Sequence, residues 1–187
     1  DPENLPLPPN FSGGHPFNNG ALHIRDEELA GFPRTDSEIR IHLAEYYAMI
    51  SHLDAQVGRI LDALEAEELL DSTLIVYSGD NGLAVGQHGL MGKQNCYDHS
   101  LRVPLIFRGP GIPRGEIRSS LVYLFDLYPT LCSYTGVPLP EGLDGIDITP
   151  AWEDPGFTPR RELYYAYEKF QRAVFDGKFK LIEYAVE

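Results

Sequence analysis

The longest regular pattern in the sequence is a helical one that follows Thr35. Thr35 and Glu38 form a Thr-x-x-Glu capping box, in which Glu38 reaches back to the Thr35 N–H. Apolar residues then recur at steps of three and four, which places them on one stripe of an α-helix ending near Leu69-Leu70. The stripe consists of Ile39, Leu43, Tyr46, Ile50, Leu53, Val57, Ile60 and Leu64. We interpret this helix as scaffold, and its His52 and Asp54 as hydrogen-bonded structural groups.

Two short apolar runs after this helix predict β-strands. Thr73–Tyr77 is rich in β-branched residues, and Val103–Phe107 follows a glycine-rich loop. We expect the two strands in a crossover layout within an open α/β sheet, where polar side chains collect at the carboxyl ends of the strands.

The C-terminal part of the chain changes to shorter elements. An amphipathic helix is predicted over about residues 123–134. Two β-rich runs, Arg172–Phe175 and Lys178–Ile182, then flank Asp176-Gly177, a dipeptide typical of two-residue hairpin turns. Strands joined in this way are antiparallel, so residues 136–187 are predicted to form a small antiparallel β subdomain.

Residues 1–34 are rich in Pro, Gly and Asn and show no periodicity. Because Pro fixes φ and removes a hydrogen-bond donor, this segment should run as irregular, linker-like chain over a surface. His15 and His23 could face a substrate there, although ordinary surface histidines are the simpler interpretation. The predicted organisation is therefore a linker over 1–34, an α/β part over 35–135 and the antiparallel subdomain.

Candidate chemistry follows the first predicted strand. Asp80 and Asn81 place two hard oxygen donors side by side, which suits Ca²⁺ or Mg²⁺ better than zinc or copper. Lys93, in the following loop, brings a compact cation for sulfate or phosphate oxygens. Asp-Asn-Gly is also a common turn sequence, so the triplet alone does not require a metal. Cys96, near Asp98 and His99, matches no zinc spacing and is predicted to be a buried core thiol, as is Cys132.

Composition removes several classes of function. The chain has 187 residues, of which 43% are hydrophobic and 23% charged, as in ordinary globular proteins. The formal net charge of −13 argues against a nucleic-acid surface and requires a local cationic pocket for an anionic substrate. Two cysteines make no disulfide framework, and no apolar run approaches membrane-spanning length.

Several motifs in order resemble the C-terminal portion of the sulfatase family, within the alkaline-phosphatase-like superfamily. The resemblance covers nearly the whole chain and rests on the combination of motifs, none of which would suffice alone. They are Ala44–Asp54, Ser78-Gly79-Asp80-Asn81-Gly82, Gly86–Lys93, Arg102–Ile106, Gly109-Pro110-Gly111, Asp126–Leu131 and Leu143-Asp144-Gly145.

The resemblance implies an α/β fold with a partial alkaline-phosphatase-like sheet flanked by helices and a small C-terminal antiparallel sheet. It also implies a hydrolase of sulfate esters that uses Ca²⁺, in preference to Mg²⁺, and formylglycine, an oxidised cysteine, as nucleophile. By the same resemblance Asp80 and Asn81 are metal ligands, Lys93 is a catalytic residue that contacts the sulfate, and His88 faces the substrate. The substrate would be a sulfated small molecule or glycan, and the parent enzyme would be periplasmic or secreted.

Two elements of the family pattern are missing from the sequence. Neither Cys96 nor Cys132 lies in the Cys/Ser-x-Pro/Ala-x-Arg motif of the nucleophile, and no two aspartates are adjacent. We therefore expect the 187 residues to be inactive without the N-terminal half of the same enzyme, which is the expected partner. Two alternatives stay open: a phosphoester hydrolase of the same superfamily, and a non-catalytic module that keeps the fold.

Overall fold

The computed structural model describes residues 1–185. Contacts within the chain group these residues into two compact units. The first contains Asp1–Pro110 with Tyr167–Gln171 and Tyr184, and the second contains Gly111–Ala166 and Arg172–Glu183. This grouping does not test the boundaries at residues 34 and 135, which stay a prediction.

The long helix of the first unit, α1, spans Asp36–Ala66 and begins as the sequence predicts. The Thr35 hydroxyl accepts a hydrogen bond from the Glu38 N–H at 3.4 Å. The second half of the predicted capping box is wrong, because the Glu38 carboxylate accepts from the Gly31 N–H at 3.1 Å. The helix also ends three residues before Leu69.

Only the N-terminal end of α1 is buried. Ile39 and Leu43 pack with Ala30, Val85 and Met91 in one hydrophobic cluster, whereas other members of the predicted stripe stay exposed. The exposed members are Ile50, Leu53 and Ile60. His52 and Asp54 are exposed too, and no side-chain hydrogen bond of theirs is found within residues 1–185. Their predicted role as hydrogen-bonded structural groups is therefore wrong.

The two predicted strands of the first unit exist, but their layout differs from the prediction. Strand β1, Ile75–Ser78, pairs antiparallel with β2, Leu105–Arg108, with Ile75 opposite Arg108 and Ser78 opposite Leu105. The crossover layout was therefore wrong. A parallel crossover needs a connection of about a dozen residues or more, usually through a long helix. The connection here instead folds into loops with only a one-turn helix, α2, at Asp98–Leu101.

The N-terminal segment contains two short 3₁₀ turns, Pro2–Asn4 and Arg25–Leu29, and is otherwise irregular, as predicted. It does not simply run over a surface. Asp26, Glu27 and Arg34 are buried, as are Asn19, Ala21 and Ala30. A segment with this many buried positions contributes to the interior of the first unit.

The second unit is built on short elements. The predicted helix over 123–134 is a 3₁₀ turn, Leu124–Asp126, that leads into α3, Leu127–Thr135; a one-turn helix, α4, follows at Pro150–Glu153. Asp126 is buried and accepts two hydrogen bonds from Arg160, each at 2.6 Å, and one each from the Tyr123 and Ile146 N–H groups.

A three-stranded sheet with the order β3-β4-β5 completes the described chain. Its strands are Leu163–Tyr167, Gln171–Phe175 and Lys180–Tyr184, so the predicted C-terminal sheet is confirmed. The hairpin turn begins at Asp176, as predicted, but it is two residues longer than the predicted two-residue turn. The Asp176 N–H donates to the Phe179 carbonyl, and the Asp176 carboxylate accepts from the Lys178 and Phe179 N–H groups, so the turn includes residues 176–179. The α/β class is confirmed.

Candidate active site

Asp80 and Asn81 follow the carboxyl end of β1, and both are exposed. The turn that carries them is held by the next residue. The Gly82 N–H donates to the Ser100 carbonyl at 2.9 Å, and a Cβ at Gly82 would lie 1.8 Å from the His99 carbonyl oxygen. Only glycine fits where these two backbone segments approach so closely. The turn next to the two candidate ligands therefore packs directly against α2.

Hydrogen bonds within the turn leave oxygen atoms of both side chains available. One carboxylate oxygen of Asp80 accepts from the Asn81 N–H at 2.8 Å, and the Asn81 amide nitrogen donates to the Gly82 carbonyl at 2.9 Å. The second Asp80 oxygen and the Asn81 amide oxygen remain as hard donors of the type that Ca²⁺ prefers. Within residues 1–185 no group of three or more His, Cys, Asp or Glu side chains could hold a metal. The residues present thus fit two of the roughly six to eight oxygen ligands of calcium.

Lys93 lies at the end of a loop that folds on itself. The Ala84 N–H donates to the Gly92 carbonyl at 3.0 Å, and the Gly86 N–H donates to the Leu90 carbonyl at 2.8 Å. Four side chains of this loop are buried, namely Ala84, Val85, Leu90 and Met91. Lys93 itself is exposed, and the ion pairs found within residues 1–185 do not include its ammonium. Its charge is therefore available to an anion.

His88, on the same loop, has a backbone φ of 54°, in the left-handed region that few residues other than glycine adopt. Its ring stacks on Tyr97, with ring centroids 4.1 Å apart and an angle of 15° between the planes. Its Nε2 lies 2.9 Å from the side-chain nitrogen of Asn10. Burial lowers the pKa of His88, and the nearby His15 lowers it further, so the neutral imidazole is favoured.

The sequence interpretation missed how His15 and Tyr97 are placed. The His15 Nε2 lies 3.1 Å from the Tyr97 hydroxyl, and the ring of His99 lies 6.0 Å from that of His88. His15 and Tyr97 are 82 positions apart in the chain, so no local pattern could have brought them together. His23, the other candidate of the N-terminal segment, is exposed.

The two cysteines are buried, as predicted. The Cys96 N–H donates to the Gln171 side-chain oxygen at 3.1 Å, which fixes the backbone near α2. Cys132 lies within α3. Burial of both thiols is consistent with core positions.

The structure links the candidate residues through α2 and the residues just before it. The turn carrying Asp80 and Asn81 contacts His99 and Ser100, and Tyr97, two residues before His99, stacks on His88. A family model described as Sulfatase matches residues 11–137 of this chain. The chain belongs to the sulfatase family.

Named sulfatases are similar in sequence to part of this chain. The chain is 40% identical over 116 residues to human arylsulfatase K, covering 62% of this chain and 22% of that protein. It is 33% identical over 150 residues to an N-acetylglucosamine-6-O-sulfatase of Bacteroides thetaiotaomicron, covering 78% of this chain and 27% of that protein. The chain thus spans about a quarter of the length of these sulfatases.

Solved structures agree with the family. BT4656, in complex with its substrate D-glucosamine-2-N,6-O-disulfate, superimposes with a TM-score of 0.76 at 31% identity, over 86% of this chain and 35% of that one. A phosphonate monoester hydrolase from Silicibacter pomeroyi gives a TM-score of 0.81 at 25% identity, over 98% of this chain and 43% of that one. The predicted alkaline-phosphatase-like α/β fold is confirmed. Among the helices of residues 1–185 we find no candidate for a membrane-spanning segment.

Proposed function

We propose that the protein containing this chain hydrolyses sulfate esters, with Asp80 and Asn81 as two of its metal ligands and Lys93 and His88 as contacts to the substrate. The observation that carries the proposal is the exposed Asp80-Asn81 pair after β1 in a chain of the sulfatase family. The neighbouring loop adds an exposed cation, Lys93, to a chain whose net charge is −13. An anionic ester needs such a local positive charge because the overall field of the chain repels it.

Calcium, in preference to magnesium, suits the two oxygen donors, and a bound calcium would polarise the sulfate and offset charge on its oxygens. The Asp80 carboxylate supplies the negative charge that would retain this cation, and the Asn81 oxygen supplies a neutral ligand beside it. The nucleophile, formylglycine by family resemblance, and the remaining ligands would come from residues outside this chain. These 187 residues alone are therefore proposed to be inactive.

Lys93 and His88 would act on the substrate directly. The Lys93 ammonium can donate hydrogen bonds to sulfate oxygens and offset their charge. In a neutral His88, favoured by its lowered pKa, Nε2 accepts from the Asn10 side-chain nitrogen, so Nδ1 carries the proton and can donate one hydrogen bond to a substrate or leaving-group oxygen. The positive φ of His88 is consistent with a functionally constrained position.

The proposed substrates are sulfated small molecules or glycans, and the proposed location of the enzyme is the periplasm or the outside of the cell. Support for the substrate class comes from the relatives, which include an N-acetylglucosamine-6-O-sulfatase and BT4656 with its disulfated glucosamine. The location rests on resemblance to the family alone.

The test is hydrolysis of 4-nitrophenyl sulfate by the full-length protein in the presence of calcium. Asp80→Ala and Lys93→Ala should each lower kcat/KM by about a hundredfold or more, in the range reported for removing one stabilising group. Asp62→Ala, an exposed position on α1, serves as the matched control and should leave the rate unchanged. Equal rates for Asp80→Ala and Asp62→Ala would contradict the assignment of Asp80.

A second candidate function is supported by the phosphonate monoester hydrolase superposition. Sulfate and phosphate esters both present tetrahedral oxygens to a cation and a lysine. Comparing kcat/KM for 4-nitrophenyl sulfate with that for a 4-nitrophenyl phosphonate monoester distinguishes the two. Binding of calcium without turnover of either ester would indicate the non-catalytic module.

A further inference from the structure

A buried ion pair in the N-terminal segment lies directly behind the loop that carries Lys93. The Glu27 and Arg34 side chains are 4% and 0% exposed, and an Arg34 terminal nitrogen donates to a Glu27 carboxylate oxygen at 2.6 Å. Neither group can reach a substrate in solution. Any effect of this ion pair on the substrate must therefore act through the residues that the pair contacts.

Glu27 holds two successive amide groups of the loop. One carboxylate oxygen accepts from the Met91 N–H and the other from the Gly92 N–H, both at 2.9 Å. Gly92 immediately precedes Lys93, so this carboxylate fixes the backbone from which the Lys93 side chain extends. Within residues 1–185 the partners of the carboxylate are three N–H donors, those of Met91, Gly92 and Arg34.

Arg34 holds the other side of the same turn. Its Nε donates to the Gly89 carbonyl at 3.2 Å, and a terminal nitrogen donates to the Glu27 carbonyl at 2.8 Å and to the Ala30 carbonyl. The guanidinium therefore ties the loop to the N-terminal segment while it neutralises Glu27. This pairing satisfies a buried charge that would otherwise be costly.

The residue after Lys93 is held by the same segment. The Gln94 side-chain nitrogen donates to Asp26 at 2.8 Å, while its side-chain oxygen accepts from the Lys93 N–H at 3.0 Å. The hydrogen bond from Gln94 to the Asp26 carboxylate is the main cause of the lowered pKa of Asp26, and the nearby Arg25 and Lys93 charges contribute. Contacts from Asp26 and Glu27 thus fix the backbone on both sides of Lys93.

We propose that Glu27 and Arg34 are positioning residues for Lys93, so that the N-terminal segment sets where the substrate-binding ammonium lies. This inference rests on the proposed function, in which Lys93 contacts the sulfate group. It assigns residues 26–34 a part in the active site without any contact to substrate.

Glu27→Gln in the full-length protein tests the inference. The substitution keeps the shape of the side chain but turns an amide NH₂ toward a site that contains only donors, so one loop contact is lost. Glu28→Gln makes the same chemical change at the next, exposed residue and is the matched control. A displacement of about 1 Å can cost about a hundredfold in rate, so we expect kcat/KM for 4-nitrophenyl sulfate to fall about ten- to a hundredfold in Glu27→Gln and to stay within about twofold in Glu28→Gln.

A double mutant separates positioning from a general structural effect. If Glu27 acts through Lys93, Glu27→Gln should lower kcat/KM of the Lys93→Ala variant by no more than about twofold, because coupled residues are not additive. If Glu27→Gln lowers kcat/KM by the same factor in the wild-type protein and in the Lys93→Ala variant, the inference is overturned. It is also overturned if Glu27→Gln activity equals that of Glu28→Gln while Lys93→Ala is impaired, an outcome that leaves the proposed function intact.

Hydrogen exchange provides a readout that does not depend on turnover. The amides of Met91 and Gly92 should exchange faster in Glu27→Gln than in Glu28→Gln, and unchanged exchange would overturn the inference. Faster exchange combined with a fully active Lys93→Ala would instead contradict the proposed role of Lys93.

Should Glu27→Gln fail to fold, Gly92→Ala replaces it. A Cβ at Gly92 would lie 2.8 Å from the Glu27 carboxylate and 2.9 Å from the Gln94 side-chain oxygen, so it disturbs the same contacts and keeps the ion pair. The same fall in kcat/KM and the same lack of additivity with Lys93→Ala are expected, and their absence would overturn the inference.

Discussion

Gly82 offers the sharpest test of how the candidate metal ligands are held. Replacing Gly82 with Ala would place a methyl group 1.8 Å from the His99 carbonyl oxygen, far inside van der Waals contact, so the backbone of one segment must move. Gly79 lies on the other side of Asp80 and Asn81, and a Cβ there would meet nothing closer than 3.7 Å. The two glycines therefore form a matched pair around the same ligands.

The expected cost of Gly82→Ala follows from two contacts. Forcing a methyl group into a filled space costs about 1–3 kcal/mol. Moving the turn also weakens the hydrogen bond from the Gly82 N–H to the Ser100 carbonyl, which contributes about 0.5–1.5 kcal/mol. The free energy of unfolding should fall by about 1.5–4.5 kcal/mol in Gly82→Ala, and by less than about 1 kcal/mol in Gly79→Ala.

Urea denaturation and calcium titration of the full-length protein measure both consequences. We expect Gly82→Ala to unfold at lower urea and to bind calcium more weakly than Gly79→Ala, because Asp80 and Asn81 move with the turn. Equal stability and equal calcium affinity of the two variants would refute the close packing of Gly82 against α2.

Three further predictions concern other parts of the chain. Asp126→Ala should lower the free energy of unfolding by about 3–5 kcal/mol, since it leaves the largely buried Arg160 unpaired, and urea denaturation beside the exposed Asp144→Ala checks this. Thr35→Ala should cost about 0.5–1 kcal/mol by removing the cap of α1, measured by thermal unfolding; no loss would mean that the 3.4 Å hydrogen bond contributes nothing. Because the pKa of His88 is lowered in the folded state, the unfolded chain binds more protons just below about pH 6.5, so stability should fall as the pH drops through that value. His88→Gln should reduce this pH dependence, and an unchanged profile would contradict the lowered pKa.

Local pattern was sufficient for the elements whose signals lie close together in the chain. The start of α1 at Thr35 follows from a cap and a spacing of apolar residues, because a helix forms contacts three and four residues apart. The same holds for β1 and for the position of Asp80-Asn81 directly after it. The family motifs, taken in their order along the chain, are sufficient to indicate the sulfatase family from the sequence alone.

Tertiary structure alone decided what depends on contacts between distant segments. The pairing of β1 with β2 is antiparallel because the chain between them folds into loops, which the two strand patterns do not specify. Glu38 bonds to Gly31 and not to Thr35, and Glu27 holds amides 64 and 65 residues away. The sequence shows that a residue is Glu but does not show whether its carboxylate is solvated or buried. Only the fold determines which backbone N–H groups surround it, and therefore only the structure could place Glu27 and Arg34 behind Lys93.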